Sequence, residues 1–392
     1  MTTPISFHDT PRFPRGFRCA SRNAGLKPAA RDIALFASDV DCTAAAVFTK
    51  NHFPGAPIIL GRETIKGGVL RGIVINTKVS NVATGLRGLE NARRMAVAGA
   101  NELGVGPEKI LVSSTGVIGA PLPIEKIEIG FRGLAAELQD NPRVGAEGIM
   151  TTDSHPKALS LSVGDATITI VAKGSGMIEP NMATMLAYIF TDARMDAATL
   201  DRQLRAAADL SFNMLSVDSD TSTSDTCAIL ANGHAGDIPE AAFGAALTAG
   251  CIRMTEMLAR DGEGAEHLVR ATVKGAWSPA DARAVAKSLI NSPLIKTMVH
   301  GADPNVGRLL MAVGKSFSST VRPASTDAWI NGHLVVKHGE RIEFDDAVVR
   351  ASLGEEQVDI VVELGLGDAC ATAYGCDFTH GYIDENAAYL SS

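Results

Sequence analysis

The stretch Lys173-Gly174-Ser175-Gly176-Met177-Ile178-Glu179-Pro180-Asn181-Met182-Ala183-Thr184-Met185 decides how the rest of the chain is read. It opens as a Gly-Ser-Gly loop and closes on a junction of small residues, Ala183-Thr184, directly before the apolar run 185–190. That run is short, rich in β-formers and bounded by Thr191-Asp192, so it reads as a buried strand. A threonine at the mouth of a buried strand, behind a Gly/Pro-rich loop, is where a chain can cut itself. Its hydroxyl would attack the Ala183 carbonyl, and hydrolysis of the resulting ester would leave Thr184 as a new N-terminus. A threonine hydroxyl is a poor nucleophile alone, but a free α-amine on the same residue, with a pKa of about 7.7–8.0, can serve as its general base. The same pattern also fits a core strand preceded by a surface loop, so other residues must decide between the two.

Upstream, residues 159–163 and 166–171 alternate about Gly164-Asp165 and predict a hairpin. Before them stands the polar cluster Met150-Thr151-Thr152-Asp153, and before that an amphipathic helix over 123–138. A strand at 110–113 delivers Ser114-Thr115-Gly116-Val117-Ile118-Gly119. Backbone N–H groups, a hydroxyl and a glycine that permits close approach suit an oxyanion hole; they suit an ordinary strand-to-loop turn equally. Residues 86–103 form a second amphipathic helix, stopped by Gly104-Val105-Gly106-Pro107. A strand at 72–75 runs into the polar loop Asn76-Thr77-Lys78-Val79-Ser80-Asn81, and strands at 33–37 and 44–48 flank an Asp39-Val40-Asp41 turn.

Downstream, 197–210 is helical, and residues 216–226 are dense in hydroxyls and carboxylates ahead of a strand at 227–231. That run lacks the Asp-x-Asp-x-Asp-Gly pattern of a calcium loop and reads as a solvated loop. A long helix over 241–259 ends in Arg260-Asp261-Gly262-Glu263-Gly264-Ala265. Glycines on both sides let the Glu263 carboxylate approach a ligand amine; a plain helix C-cap explains them as well. A helix over 282–290, a tight turn from His300 to Asn305, a type I′ hairpin at Asn331-Gly332 and strands at 358–364 and 369–374 follow. The tail from Asn386 to Ser392 has no sequence reason of its own to be ordered.

Of the 392 residues, 46% are hydrophobic, enough for a large core and more than one average domain. The net charge of -8, with no basic block, argues against nucleic acid or an anionic membrane as partners. No apolar run approaches the roughly 18 residues of a membrane span, and residues 1–18 have no signal-peptide core, so a cytoplasmic protein is expected. The six cysteines form no Cys-x-x-Cys, and Cys370 and Cys376 read as reduced packing residues. The nine histidines are scattered, which predicts no metal. No phosphate-cradling glycine motif follows a strand and G-x-S-x-G is absent, so no nucleotide cofactor is expected. Strands and helices intermix, as in one interwoven α/β body or two lobes meeting near Thr184.

With these motifs in order, the chain resembles the ornithine acetyltransferases, the bifunctional arginine-biosynthesis family. The resemblance rests on the stretch 173–186, on Ser113 to Gly119, Met150 to Asp153, Asp218 to Thr226, Asp261 to Gly264, Asp303-Pro304-Asn305, and the tail from Asn386. It implies an α/β sandwich of the N-terminal-nucleophile kind, built from two self-cleaved chains, 1–183 and 184–392, cut between Ala183 and Thr184. The implied reaction moves acetyl from N2-acetyl-L-ornithine to L-glutamate through an ester on Thr184; some members also accept acetyl-CoA. By the resemblance Thr115 and Gly116 hold the oxyanion. Thr151 or Thr152, Lys173, Glu263, Asn386 and Ser391 line the substrate site. The two chains are expected to assemble as a heterotetramer. The sequence departs from the family's pattern at Glu179, Lys78 and Ser391. An amidase or aminopeptidase-type hydrolase with the same nucleophile, and an acetyltransferase of specialised metabolism from the same family, are the alternatives.

Overall fold

The structure, a computed structural model, describes residues 3–179 and 185–387. Ala183, Thr184 and Ser391 lie outside them. The described residues fall into two compact units. The first holds residues up to 174, 185–213 and 221–254; the second holds 175–179, 214–220 and those from 255 onward. Compact units and cleaved chains are different divisions: the first unit takes 185–213 and 221–254 from beyond the Ala183-Thr184 junction, and the second takes 175–179 from before it.

The first unit is organised by a nine-stranded sheet. Its strands run in the order Ile5–Phe7, Lys157–Val163, Ala166–Lys173, Leu186–Arg194, Thr226–Asp237, Ile33–Phe48, Val69–Asn76 and Ile110–Ser114, with Phe17–Arg22 paired on Ile33–Phe48. Leu186–Arg194 lies antiparallel to Ala166–Lys173, with Leu186 opposite Lys173, and parallel to Thr226–Asp237. The sheet is covered on both faces, which is why its strands read as near-continuous apolar runs. Along Ile33–Phe48, Ile33 and Leu35 enter one core with Val74, Met95, Ile110 and Ile127. Ala34 and Phe36 enter the other with Ile73, Ile149, Tyr188 and Phe190. The period of two in a strand does this sorting. The Phe36 and Phe190 rings stack at 5.2 Å, each burying a side chain worth about 1.5–3 kcal/mol.

The second unit carries a seven-stranded sheet in the order Glu340–Arg341, His333–Lys337, Asp327–Ile330, Gln357–Glu363, Leu268–Ala276, Ala369–Cys376 and Leu215–Ser216. The hairpin between Asp327–Ile330 and His333–Lys337 turns on Asn331 and Gly332, both left-handed (φ 46° and 81°), as a type I′ turn requires. Helices Pro279–Ile290, Pro293–His300 and Val306–Gly314 each start at a side-chain cap, from Ser278, Ser292 and Asn305.

Several expectations are corrected. The turn expected at Asp39-Val40-Asp41 is a register shift inside one strand, Ile33–Phe48, not a break. The helix expected over 123–138 stops at Phe131, because Gly133 is left-handed (φ 73°); a short 3-10 turn, Leu134–Glu137, follows. Asn386 lies in a helix, His380–Ala387, although the tail offered no reason for order. Cys370 is exposed and so is no packing residue, whereas the other five cysteines are buried, and all six are free thiols. Among the described residues no helix is long and apolar enough to cross a membrane.

Candidate active site

In the first unit the strand Ile110–Ser114 delivers Thr115 and Gly116 to the polar loop that follows Val69–Asn76. The two segments are laced together. Asn76 accepts from Thr115 N–H (3.1 Å) and from Ser114 Oγ at its side-chain oxygen (2.6 Å); Lys78 carbonyl accepts from Val117 N–H (3.0 Å), and Val117 carbonyl from Ser80 N–H (3.0 Å). Thr115 thus spends its own N–H on Asn76. Its hydroxyl and the Gly116 N–H are the donors this pair can aim at a developing oxyanion. Gly116 has φ 126°, and a Cβ there would sit 2.3 Å from the Lys78 carbonyl carbon, so only glycine lets the two backbones approach.

The helix Pro142–Ile149, capped by Asn141, ends at Met150 and releases Thr151-Thr152-Asp153. Asp153 is the hub of this cluster. One carboxylate oxygen accepts from Lys157 Nζ (2.7 Å) and from Gly174 N–H (2.7 Å), and the other from Thr151 N–H (2.9 Å). The Asp153 and Lys157 side chains are both fully buried. Burial alone would push the carboxyl up, but the Lys157 and Lys173 cations, with hydrogen bonds from Lys157 and Thr151, bring it down to about 2. Asp153 therefore stays ionised and fixes the start of the Gly-Ser-Gly loop. Lys173 Nζ donates to Thr151 Oγ1 (3.0 Å), which sets its ammonium beside the threonine hydroxyl. Lys27 donates to Met150 carbonyl (2.7 Å), and burial holds its ammonium below the ordinary lysine range.

In the second unit Glu263 and Asn386, far apart in sequence, come together. Asn386 Nδ2 donates to Glu263 Oε2 (2.8 Å) and to Tyr382 carbonyl (2.9 Å). Glu263 N–H donates to Ser175 carbonyl (2.9 Å). A Cβ on Gly176 would fall 2.1–2.3 Å from the Glu263 carboxylate, so the bare glycine is what lets the carboxylate lie against the loop. Asp218 accepts from Met177 N–H (2.6 Å) and Ile178 N–H (2.8 Å), and Met177 is left-handed (φ 52°). Glu179, where the sequence departs from the family pattern, accepts from Asn291 Nδ2 (2.6 Å) and Ser216 Oγ (3.1 Å) and pairs with Lys287 (3.3 Å).

The structure thus brings Thr151 to Lys173 and Glu263 to Asn386; Thr115 and Gly116 are chain neighbours, and Thr152 is half-buried beside Thr151. Ala183, Thr184 and Ser391 are outside the described residues. Sequence reasoning passed over Asp153 as a site residue, although Lys157, four residues on, is the kind of cation a buried acid needs. It also passed over Asn76 and Asp218, which were legible only as polar loop residues.

Two sheets with intermixed helices, and polar side chains paired from distant parts of the sequence within each unit, define the chain as an α/β protein with enzyme-like polar clusters. The chain is a member of the ArgJ family, which it matches over residues 18–391. It is 46% identical over 378 residues to arginine biosynthesis bifunctional protein ArgJ 2 of Clostridium acetobutylicum, covering 96% of this chain and 97% of that one. It is 41% identical to glutamate N-acetyltransferase Oat2 of Streptomyces clavuligerus, with 97% and 99% covered. The crystal structure of arginine biosynthesis bifunctional protein ArgJ from Bacillus halodurans matches with a TM-score of 0.51 at 37% identity, covering 53% of this chain and 100% of that one. The expected N-terminal-nucleophile-like α/β fold stands with the family.

Proposed function

We propose that this protein is a glutamate N-acetyltransferase that takes acetyl from N2-acetyl-L-ornithine. The chain first cuts itself: Thr184 Oγ attacks the Ala183 carbonyl, and water hydrolyses the ester, freeing the Thr184 amine. In turnover that amine takes the hydroxyl proton as Oγ attacks the acetyl carbonyl. The Thr115 hydroxyl and the Gly116 N–H receive the charge on the carbonyl oxygen. Ornithine leaves with the proton, and acetyl remains as an ester on Thr184. Glutamate's amine then attacks the ester, Thr184 recovers its proton, and N-acetyl-L-glutamate departs. Lys173, steadied by Thr151, suits a substrate carboxylate. Glu263, steadied by Asn386, suits the α-amino-acid nitrogen; Thr152 and Ser391 complete the substrate-lining set. The two chains work in the cytoplasm as a heterotetramer.

The observation that carries this reading is that the family's motif residues, scattered along the sequence, meet as Lys173 with Thr151 and Glu263 with Asn386. The solved Bacillus halodurans chain supports the cut. It is wholly covered by 53% of this chain, the share that the 209 residues of 184–392 represent.

Two measurements test it. Denatured mass and N-terminal sequencing should give two chains, the second beginning at Thr184. Incubation with N2-acetyl-L-ornithine alone should release no more than about one ornithine per site, as the acetyl ester forms, and continued release should need glutamate; multiple turnovers without glutamate would make the protein a hydrolase.

A further inference from the structure

In the second unit, among residues given no role above, two histidines and two acids converge. Glu266, His267 and Asp377 each present one donor atom, all within 4.8 Å of one another. His267 Nδ1 lies 2.9 Å from Asp377 Oδ2. His300, the last residue of the helix Pro293–His300, places its Nδ1 3.4 Å from Glu266 Oε2 and 3.6 Å from Asp377 Oδ2. That nitrogen is buried and makes no hydrogen bond. Its distances to the two carboxylates are long for hydrogen bonds. They are right for co-ligands: two donors at about 2.1 Å from one tetrahedral ion lie roughly 3.4 Å apart.

Asp377 is already oriented as a ligand needs to be. Its other oxygen, Oδ1, accepts from the backbone N–H groups of Glu266 and His267, both at 3.0 Å, which leaves Oδ2 turned to the histidines. The nearby cation, Lys296, one turn before His300, is engaged elsewhere. Its Nζ donates to Cys376 carbonyl and sits over the Phe378 ring at 4.6 Å.

We propose that Glu266, His267, His300 and Asp377 bind a divalent transition-metal ion, with Zn2+ the best match. Imidazole nitrogens with carboxylate oxygens suit Zn2+ and its neighbours, whereas Mg2+ and Ca2+ take oxygen shells. The expectation of no metal came from histidine spacing along the chain. His267 and His300 are separated in sequence by a strand and two helices, so no spacing motif could signal them.

The site braces the substrate half-site without belonging to it. It ties together the entry to strand Leu268–Ala276, the exit of Ala369–Cys376 and the end of Pro293–His300. Glu263 lies three residues before Glu266. Just beyond Asp377, Thr379 Oγ1 donates to Gly264 carbonyl (2.6 Å) and leads into the helix that carries Asn386. The ion would hold this turn still. The proposal does not depend on the acyl-transfer reading.

The test is metal binding by the full, self-processed protein after chelator treatment and dialysis. Titration with Zn2+ against a chromophoric competitor should give one tight site per pair of processed chains, and Co2+ should give the visible absorption of a tetrahedral complex. His300→Ala breaks no hydrogen bond, and Glu266 is exposed, so His300→Ala and Glu266→Ala should both fold. Each should weaken Zn2+ binding by at least about tenfold, and His52→Ala, an exposed histidine elsewhere, should leave it unchanged. No stoichiometric Zn2+ binding, or equal binding by wild type, His300→Ala and Glu266→Ala, would overturn the site and leave a plain His267–Asp377 hydrogen bond.

Discussion

Asp153 shows what a single residue does for this site. Its carboxylate is ionised inside the protein because Lys157 and Lys173 outweigh the burial, with the folded value at about 2 against the ordinary 3.8. A depressed folded value means that the unfolded chain binds the proton more readily. The pair's contribution, ~2 kcal/mol, is therefore fully present above pH 4 and is lost as pH falls from about 4 toward 2. Asp153→Asn removes the titration and takes a carboxylate counter-charge from the fully buried Lys157. At pH 7 it should cost about 3–5 kcal/mol, and the gap to the unsubstituted protein should narrow below pH 4. Urea unfolding at pH 7, 5, 4 and 3, in a Thr184→Ala background that keeps one chain, reads this directly; a gap independent of pH would mean that Asp153 is not the ionised partner. Thr115→Ala probes a different term. With the Thr115 N–H committed to Asn76, its hydroxyl is one of the two donors proposed for the oxyanion, and its loss should lower kcat by about a hundredfold or more while KM changes little.

At the scale of the element, the loop 173–179 is fixed at both ends by carboxylates accepting backbone N–H groups. Asp153 holds Gly174, and Asp218 holds Met177 and Ile178. Burial pushes the Asp218 carboxyl above its ordinary range even with those N–H donors, so it is held there by geometry rather than by a cation. Asp218→Ala releases the left-handed Met177, six residues before Ala183 at the expected cut. The expected outcome is a larger uncut fraction in denatured mass spectra, with little change in the fold. Gly176→Ala tests the loop's second task. Its φ needs no glycine, but the methyl would press on the Glu263 carboxylate at 2.1–2.3 Å, and a flexible side chain yields before backbone does. Glu263 should swing off Asn386, raising KM for both amino-acid substrates more than about tenfold at an unchanged melting temperature. Elements of this kind were legible where the local chemistry is strong: the Gly164 and Asn331-Gly332 hairpins stand where their turn residues put them. Boundaries failed where a non-local term decided. Ile33–Phe48 stays one strand because its neighbours pair along both halves, whatever its Asp-Val-Asp turn signal says.

At the scale of the whole molecule the site residues could be named from the sequence, but not their pairing. Lys173 and Thr151 are 22 residues apart and Glu263 and Asn386 are 123 apart, so no periodicity links them; only the fold does. The same fold has a consequence for the cut protein. In the nine-stranded sheet, Leu186–Arg194 and Thr226–Asp237 belong to the C-terminal chain expected after cleavage. They stand in the middle of the sheet, with Ala166–Lys173 of the N-terminal chain on one side and Ile33–Phe48 on the other. Leu186 and Lys173, which flank the expected cut, remain ladder partners across it. Separating the chains would break two complete strand ladders and expose Phe36, Tyr188 and Phe190, whose rings pack together across the sheet. Cutting the backbone removes one covalent link and none of these interactions. The self-processed protein should therefore run in non-denaturing size exclusion as one species holding both chains in equal amounts. It should stay so on dilution to nanomolar concentration and come apart only with global unfolding in denaturant. Chains that part under native conditions would mean that the sheet described here is not the one the processed protein keeps.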